Sequence, residues 1–478
     1  MKNIINLLFL LLLTLSAFAQ QSLFLGKPTI FAPNEIGNYP NTPFLYKIPV
    51  TGERPITITI NNLPEGLVFN ANTNIITGNI KNAGSKTITI KATNKQGSTS
   101  KDVTLVFGDK LCLTPPLGWN SWNVYAQNVS EDIILKVADE MQKNGMQDVG
   151  YEYINLDDFW HADHREADGR PKADSVKFPH GIKWLADHLH NKGFKLGIYS
   201  CAGNKTCGER FGSYGYEEID AKQYAEWGID LLKYDYCFVP KGKAIAIPRF
   251  IKMGTALRNS GRSIVYSVCE WGKNEPWLWA DSAHAHYYRT TDDIFDRWNG
   301  VSFGYEGVFS IVNQNEKLVN YAKPGHWNDP DMLLVANYGN GIATGKRKRF
   351  KGLSDTQYGS HFAMWCFMNA PLLSSADPAK LNKPSLNLLL DSTLLSIQQD
   401  VSNKQAALLS KKQGIYVFKK ELANNKTAFL IVNKKSRQKQ VVLSKWIKNT
   451  PFVNQPKFIN TNKTSITLPS GDYSILLQ

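Results

Sequence analysis

Residues 231–237 read Leu-Leu-Lys-Tyr-Asp-Tyr-Cys, a short apolar run that ends in a carboxylate. The same arrangement recurs along residues 113–390, and stretches with helical periodicity, such as Glu131 to Gly145 and Ile182 to Lys192, separate the apolar runs. The candidate strands are Tyr153 to Leu156, Phe194 to Tyr199, Leu231 to Tyr234, Ile264 to Val268, His286 to Arg289 and Gly325 to Trp327. Repeated strand–helix units over about 270 residues predict an α/β fold, a parallel sheet closed as a (β/α)₈ TIM barrel.

The segments on either side of this region have a different pattern. On the N-terminal side Ile56, Ile58 and Ile60 alternate with threonines, and strands of this kind repeat between turn residues. After residue 395 alternation returns, for instance over Thr427 to Val432. Short alternating strands at regular spacing predict β-sandwiches. We therefore expect an immunoglobulin-like sandwich over 20–108, the barrel over 109–392 and a C-terminal antiparallel sandwich over 393–478.

The first residues have the features of a secretory signal peptide. Lys2 supplies the positive charge, Leu7 to Leu13 is an unbroken apolar run, and Ala17-Phe18-Ala19 is a small-x-small cleavage site. The apolar run is too short to span a bilayer, and no other membrane span is expected. The sequence predicts a signal peptide over 1–19, cleaved near Ala19, and a periplasmic or secreted protein.

The composition narrows the range of partners. The net charge is +14, but no nucleic-acid-binding motif accompanies it, so we expect no nucleic-acid partner. No glycine-rich phosphate loop lies between a strand and a helix, and no cofactor is expected. His161, Asp163 and His164 lack the spacing of metal ligands, and we expect them in a solvated loop and no metal site. Twelve tryptophans suit a protein that binds sugars, although core packing is the commoner role for a single tryptophan.

Carboxylates follow several of the predicted strands. In a barrel of this type the carboxyl ends of the strands form the active-site face, and like charges are costly to hold together there unless they serve a function. Glycoside hydrolysis requires two carboxyl groups, one on each side of the scissile bond. The residues alone predict a barrel glycosidase with several candidate pairs among Asp157, Asp158, Asp235, Glu270, Asp293 and Asp331.

The run Pro116-Leu117-Gly118-Trp119-Asn120-Ser121-Trp122 resembles the opening of glycoside hydrolase family 27, which contains α-galactosidases and α-N-acetylgalactosaminidases. Further motifs follow in the family's order: Asn155 to Asp158, Gly197 to Tyr199, Gly203 to Cys207, Lys233 to Cys237, Cys269 to Gly272, Arg289 to Ile294 and Trp327 to Met332. The N-terminal stretch Leu63 to Leu67, followed by Thr77-Gly78, resembles the immunoglobulin-like modules often attached to bacterial enzymes.

The resemblance implies a role for each matching residue. Asp235 is implied as the nucleophile and Asp293 as the acid/base, with Asp292 as the alternative for the second role. Lys233 is implied to contact the sugar and to keep Asp235 ionised, because a nearby cation favours the charged carboxylate. Cys207 and Cys237 are implied to form a disulfide beside the nucleophile.

The same resemblance assigns the sugar contacts. They are Asp157 and Asp158 for O4 and O6, Glu270 and Arg289 for O2, Trp122 and Tyr199 as packing surfaces, and Asp331 in the pocket wall. Two positions depart from the family: Phe159 stands where a cysteine is common, and Cys201 where many members have aspartate. These departures leave the catalytic pair intact.

The resemblance implies an exo-acting retaining α-galactosidase that removes terminal non-reducing α-D-galactose from oligosaccharides, galactomannans or glycoconjugates. Two alternatives remain: the same mechanism on α-N-acetylgalactosaminides or β-L-arabinopyranosides, and a non-catalytic glycan-binding barrel. Because Glu270 is expected to fill the space beside O2, we expect galactosides to be preferred over N-acetylgalactosaminides. The sequence does not predict the oligomeric state.

Overall fold

The computed structural model describes residues 23–302, 304–339, 351–443 and 465–477. The predicted signal peptide, residues 1–19, lies outside the described residues. Within the described part of the chain, no helix is both long enough and apolar enough to cross a membrane.

The N-terminal segment is a sandwich of short strands with its own apolar core. Alternate side chains point inward, so Ile58, Ile88, Ile90 and Val103 are buried while the threonines between them face outward. The sheets contain Thr29–Ile30 with Val50–Thr51; Pro43–Lys47, Leu67–Asn70 and Ile75–Asn79; and Glu35–Asn38, Thr57–Asn61, Gly84–Asn94 and Gly97–Phe107.

Eight parallel strands form the barrel. In chain order they are Leu117–Asn120, Tyr153–Asn155, Lys195–Cys201, Leu231–Asp235, Val265–Val268, Tyr287–Arg289, Trp327–Asp329 and Leu372–Ser374. A parallel bridge from Leu333 to Ser374 closes the ring between the seventh and eighth strands. The strands are short apolar runs because helices cover one face and the barrel core the other. The predicted TIM barrel is therefore confirmed, and its first and eighth strands, Leu117–Asn120 and Leu372–Ser374, were not among the six candidate strands.

The helices follow from capping and apolar spacing. Helix Glu131–Lys143 begins after Ser130, whose side chain accepts the amide of Ile133, and it buries Ile134, Val137, Ala138 and Met141 on one face. The other α-helices of the described residues are Trp122–Tyr125, Gly181–Asn191, Glu217–Trp227, Lys243–Arg258, Val308–Asn315, Asp355–Phe367, Lys383–Leu389 and Ser392–Gln398.

The C-terminal sandwich packs directly on the barrel. Its larger sheet is antiparallel and contains Ala407–Ser410, Ile415–Glu421, Thr427–Asn433 and Tyr473–Leu477, and a second pair contains Lys439–Val442 and Ser465–Leu468. The ring of Tyr416 lies 4.6 Å from that of Phe309, on a barrel helix, and both belong to one continuous apolar core. Both β domains that flank the barrel match the predicted architecture.

Three short strands between the sixth and seventh barrel strands were not predicted. They are Asp293–Ile294, Val301–Ser302 and Tyr305–Glu306, and they form a small sheet at the carboxyl end of the barrel.

On the same face, a disulfide joins Cys207 to Cys237 across 30 residues of chain, with 5.2 Å between the Cα atoms. It ties the loop after the third strand to the end of the fourth.

We expect the double substitution Cys207→Ser with Cys237→Ser to lower the melting temperature. Closing a loop of this length contributes about 3–4 kcal/mol in the chain-entropy account. Calorimetry with and without reductant measures the effect, and Cys112→Ser, at a free cysteine outside the site, is the control. A melting temperature equal to that of the wild type would show that the disulfide does not stabilise the fold.

Candidate active site

A pocket of about 660 Å³, part of it open to solvent, lies at the carboxyl end of the barrel strands. Every sugar-contact or catalytic residue expected from the sequence lines it, except Glu270. They are Trp122, Asp157, Asp158, Tyr199, Lys233, Asp235, Arg289, Asp293 and Asp331, and Cys207 of the disulfide joins them. Five aspartates thus share one pocket with only two cationic side chains.

Asp235 forms the buried floor of the pocket. Its Oδ2 accepts a 3.0 Å hydrogen bond from the Tyr199 hydroxyl, and its Oδ1 lies 3.9 Å from Lys233 Nζ. Burial raises the pKa of Asp235 to about 7, an effect that Lys233 opposes and Asp157 reinforces. The floor therefore holds a carboxylate that titrates near neutral pH and stays ionised above it.

Asp157 and Asp158 form a polar wall next to this floor. Asp157 Oδ2 accepts hydrogen bonds from Lys233 Nζ at 2.8 Å and from Asn120 Nδ2 at 3.0 Å. Asp158 accepts from the amide of Gly208 at 2.7 Å and from the hydroxyl of Thr206 at 3.0 Å. Both carboxylates are held rigidly, so they present fixed acceptors to a ligand that carries hydroxyl groups.

Arg289 connects the two carboxylates on the opposite side of the pocket. Its Nη2 lies 2.9 Å from Asp331 Oδ2 and 3.1 Å from Asp293 Oδ1. Burial raises the pKa of Asp331, and Arg289 opposes that effect. The side chain of Asp293 is 43% exposed, whereas that of Asp235 is 8% exposed. One candidate catalytic carboxylate thus lies at the pocket rim and the other on its floor.

Asp292, the alternative to Asp293, is directed elsewhere. Its carboxylate forms a 2.6 Å ion pair with Lys273, and it is not among the residues that line the pocket. The geometry favours Asp293.

Glu270 is not among the residues that line the pocket, and its expected contact with O2 stays a prediction. The residue is fully buried, and its Oε2 accepts hydrogen bonds from the backbone amide and side-chain amide of Asn274 at 2.7 and 2.8 Å. Burial raises the pKa of Glu270 to about 7. These hydrogen bonds hold the turn after the fifth strand. Successive side chains at a strand end point in different directions, so Glu270 and the residue after it do not face the same side.

Trp271, the next residue along the chain, lines the pocket instead. Its backbone is left-handed, with φ of 58°, and its indole Nε1 donates a 3.0 Å hydrogen bond to Asp293 Oδ1. Such a conformation is uncommon for a bulky residue and tends to occur at functional sites. The motif Cys269 to Gly272 contained Trp271, but a strand end does not reveal which of two neighbours faces inward. Asn123, Ile294, Tyr305 and Met332 were also missed as lining residues.

The two departures from the family pattern lie beside the pocket. The Phe159 ring stacks on Trp122 with 6.2 Å between ring centroids and 10° between planes, so it supports a lining residue. Cys201 is buried, and its Sγ lies 3.1 Å from the amide of Cys237. Neither lines the pocket.

The expectation of a solvated loop at His161 was wrong. His161 is fully buried, stacked on Trp160 at 4.0 Å and edge-on to Phe211 at 4.8 Å. Its burial lowers its pKa well below the ordinary value.

Among the described residues, the one cluster of potential metal ligands combines Asp235 with the two disulfide sulfurs. Sulfurs bonded to each other offer no thiolate, so we propose no metal site.

Most of the chain is similar in sequence to known proteins. Residues 114–400 match the family described as "Alpha galactosidase A", and residues 27–108 match the "Putative Ig domain" family. An alpha-galactosidase of Cyamopsis tetragonoloba is 40% identical over 333 residues, which cover 69% of this chain and 75% of that protein. Alpha-galactosidase A of Cellvibrio japonicus is 39% identical over 334 residues, covering 68% and 77%.

A solved structure extends the likeness to nearly the whole chain. The crystal structure of a "putative alpha-galactosidase" from Bacteroides fragilis has a TM-score of 0.89 and 43% identity, and the match covers 95% of this chain and 98% of that one. The matched segment 114–400 contains every pocket residue described above. This chain therefore belongs to the alpha-galactosidase A family.

Proposed function

We propose that the protein is an exo-acting α-galactosidase that hydrolyses terminal α-D-galactosides with retention of configuration. The observation that carries the proposal is the pair Asp235 and Asp293, which line one pocket in contrasting environments. Relatives named alpha-galactosidase support the sugar assignment. The buried Asp235 and the partly exposed Asp293 mark the inner and outer ends of this pocket, which suits a terminal sugar.

The position of each carboxylate suggests its role. A retaining glycosidase needs one carboxylate to attack the anomeric carbon and a second to protonate the departing oxygen. The departing sugar must leave toward solvent, so the acid belongs at the rim, where Asp293 lies. Asp235, buried on the floor, attacks from below and forms a covalent galactosyl ester. Asp293 then accepts a proton from the water that hydrolyses this ester, and galactose is released.

Lys233 has two roles: it contacts the sugar, and it favours the ionised form of Asp235. Its Nζ bonds Asp157 and lies within 3.9 Å of Asp235, and its pKa is raised because these carboxylates outweigh the effect of burial. The positive charge opposes the rise in the Asp235 pKa and so keeps more of the nucleophile ionised. Together with Asp157 and Asp158 it offers both donors and acceptors to the O4 and O6 hydroxyls of galactose.

Trp271, rather than Glu270, limits the sugar beside Arg289. We place the O2 hydroxyl near the Arg289 guanidinium, with the indole as the adjoining wall. A large ring there leaves little room for an N-acetyl group. We therefore still expect galactosides to be preferred over N-acetylgalactosaminides, but we attribute this preference to Trp271.

We also propose that the protein is exported and that it has three folding units. The sequence features of residues 1–19 support secretion or a periplasmic location after cleavage near Ala19. We propose folding units at 20–108, 109–392 and 393–478. The substrates that suit the pocket are galactose-bearing oligosaccharides, galactomannans and glycoconjugates.

Removing either catalytic carboxylate should give a distinct kinetic result. Asp235→Ala should abolish turnover of all galactosides. Asp293→Ala should lower kcat/KM for raffinose by about 10²–10⁴-fold and affect nitrophenyl α-galactoside less, because nitrophenolate leaves without protonation. Steady-state kinetics on both substrates measure the difference, with Asp292→Ala as the matched control. Equal losses on both substrates in Asp293→Ala would contradict its role as the acid.

The stereochemistry of hydrolysis is a separate test. Proton NMR of the first sugar released from nitrophenyl α-galactoside should show α-galactose, which later mutarotates. Initial β-galactose would refute retention.

The charge on Lys233 should set the acidic side of the pH profile. The wild-type kcat/KM should rise with pH through an apparent pKa near 7, because protonated Asp235 cannot attack. Lys233→Met removes the group that lowers this pKa, so the acidic limb should move upward by roughly one unit or more. Lys273→Met, which removes the partner of Asp292 instead, should leave the limb in place. An unshifted limb in Lys233→Met would show that Lys233 does not control the nucleophile.

Shortening the Trp271 side chain should widen the sugar preference. In Trp271→Ala the ratio of kcat/KM for nitrophenyl α-galactoside to that for the α-N-acetylgalactosaminide should fall by about tenfold or more, since space opens beside Arg289. Glu270→Gln, which retains the size of the buried side chain, is the control. A larger change of this ratio in Glu270→Gln than in Trp271→Ala would restore the original assignment.

A further inference from the structure

The segment that follows the sixth barrel strand returns to the pocket rim. Strand Asp293–Ile294 follows the sixth barrel strand, and the chain later returns to it as strand Tyr305–Glu306. The two short strands pair in parallel. The backbone amide of Phe295 donates to the Glu306 carbonyl at 2.8 Å, and that of Gly307 donates to the Gly300 carbonyl at 2.8 Å. Backbone hydrogen bonds therefore join the two ends of this segment.

Tyr305 is the residue of the returning strand that lines the pocket. It is in register with Asp293, and residues in register on neighbouring strands project to the same side of a sheet. Tyr305, Ile294 and Asp293 line the same pocket. The tyrosine is partly buried, and its ring lies 6.2 Å from that of Phe295.

The acid determines where the second sugar must lie. Asp293 protonates the glycosidic oxygen, and the sugar beyond the cleaved galactose begins at that oxygen. A side chain beside Asp293 on the solvent side is thus next to the second sugar. An aromatic ring suits this place because it can cover the apolar C–H face of a pyranose and still offer a hydroxyl at its edge.

The C-terminal sandwich fixes this segment in position. Trp298 donates from its indole Nε1 to the carbonyl of Lys434 at 3.0 Å, and its ring is edge-on to Phe309 at 4.8 Å. Asp296 accepts the hydroxyl of Tyr358 at 2.8 Å and the amide of Leu353 at 3.1 Å. Contacts from both the sandwich and a barrel helix hold the loop that presents Tyr305.

We infer that the strand pair Asp293–Ile294 and Tyr305–Glu306 forms the binding subsite for the sugar next to the cleaved galactose, with Tyr305 as its contact residue. The inference rests on the proposed function and adds the recognition of an oligosaccharide beyond its terminal residue. It also gives the C-terminal sandwich a role, which is to support this subsite.

Two substrates that differ only beyond the galactose test the inference. Raffinose carries a second sugar at the scissile bond, and methyl α-galactoside carries only a methyl group there. Both leaving groups are alkoxides that need a proton from Asp293, so a displaced Asp293 would slow both reactions. In Tyr305→Ala the ratio of kcat/KM for raffinose to kcat/KM for methyl α-galactoside should fall by about tenfold, as expected for the loss of one aromatic contact. Tyr305→Phe retains the ring and should keep the ratio within about twofold of the wild type.

The outcomes separate the inference from the proposed function. Equal losses on both substrates in Tyr305→Ala would mean that Tyr305 only positions Asp293, and would overturn the inference while leaving the function standing. Competitive inhibition by galactose, measured on each variant, reports whether the galactose pocket remains intact. Wild-type protein that cleaves neither substrate would overturn the proposed function and the inference with it.

Discussion

The site depends on the placement of Lys233 between two carboxylates on the pocket floor. Its ammonium group lies 2.8 Å from Asp157 and 3.9 Å from Asp235, and without it two buried negative charges would face each other. Arg289 has the same function on the other side, where it joins Asp293 to Asp331. Two cations thus make a pocket of five aspartates possible, and each cation also touches a candidate catalytic carboxylate. The arrangement links substrate recognition to control of ionisation.

The rest of the carboxyl face holds these groups in place. The disulfide between Cys207 and Cys237 fixes two loops beside the nucleophile, and stacking of Phe159 on Trp122 supports the pocket wall. Left-handed backbone at Phe159 and Trp271 gives these bulky side chains orientations that an ordinary strand end does not provide. Strain of this kind persists only where surrounding contacts enforce it, as they do at this rim.

Much of this site could be predicted from the sequence because barrel topology collects the residues after each strand at one end. That rule located Asp157, Asp235 and Asp293 without coordinates. It could not decide between adjacent residues, because a change of one position reverses the direction of a side chain, and it therefore named Glu270 and not Trp271, which lines the pocket. It also missed the strand pair that brings Tyr305 back to Asp293, since residues 12 apart in a loop with no clear periodicity give no signal of pairing.

The most direct test of the mechanism is to trap its covalent intermediate. A fluorinated α-galactosyl fluoride that forms the galactosyl ester faster than the ester is hydrolysed should inactivate the protein, and mass spectrometry of the digested product should locate the sugar. The account predicts a label on Asp235, in the peptide that contains residues 231–237. A label on Asp293 or Asp157, or rapid turnover of wild-type enzyme by direct attack of water with inversion, would contradict it.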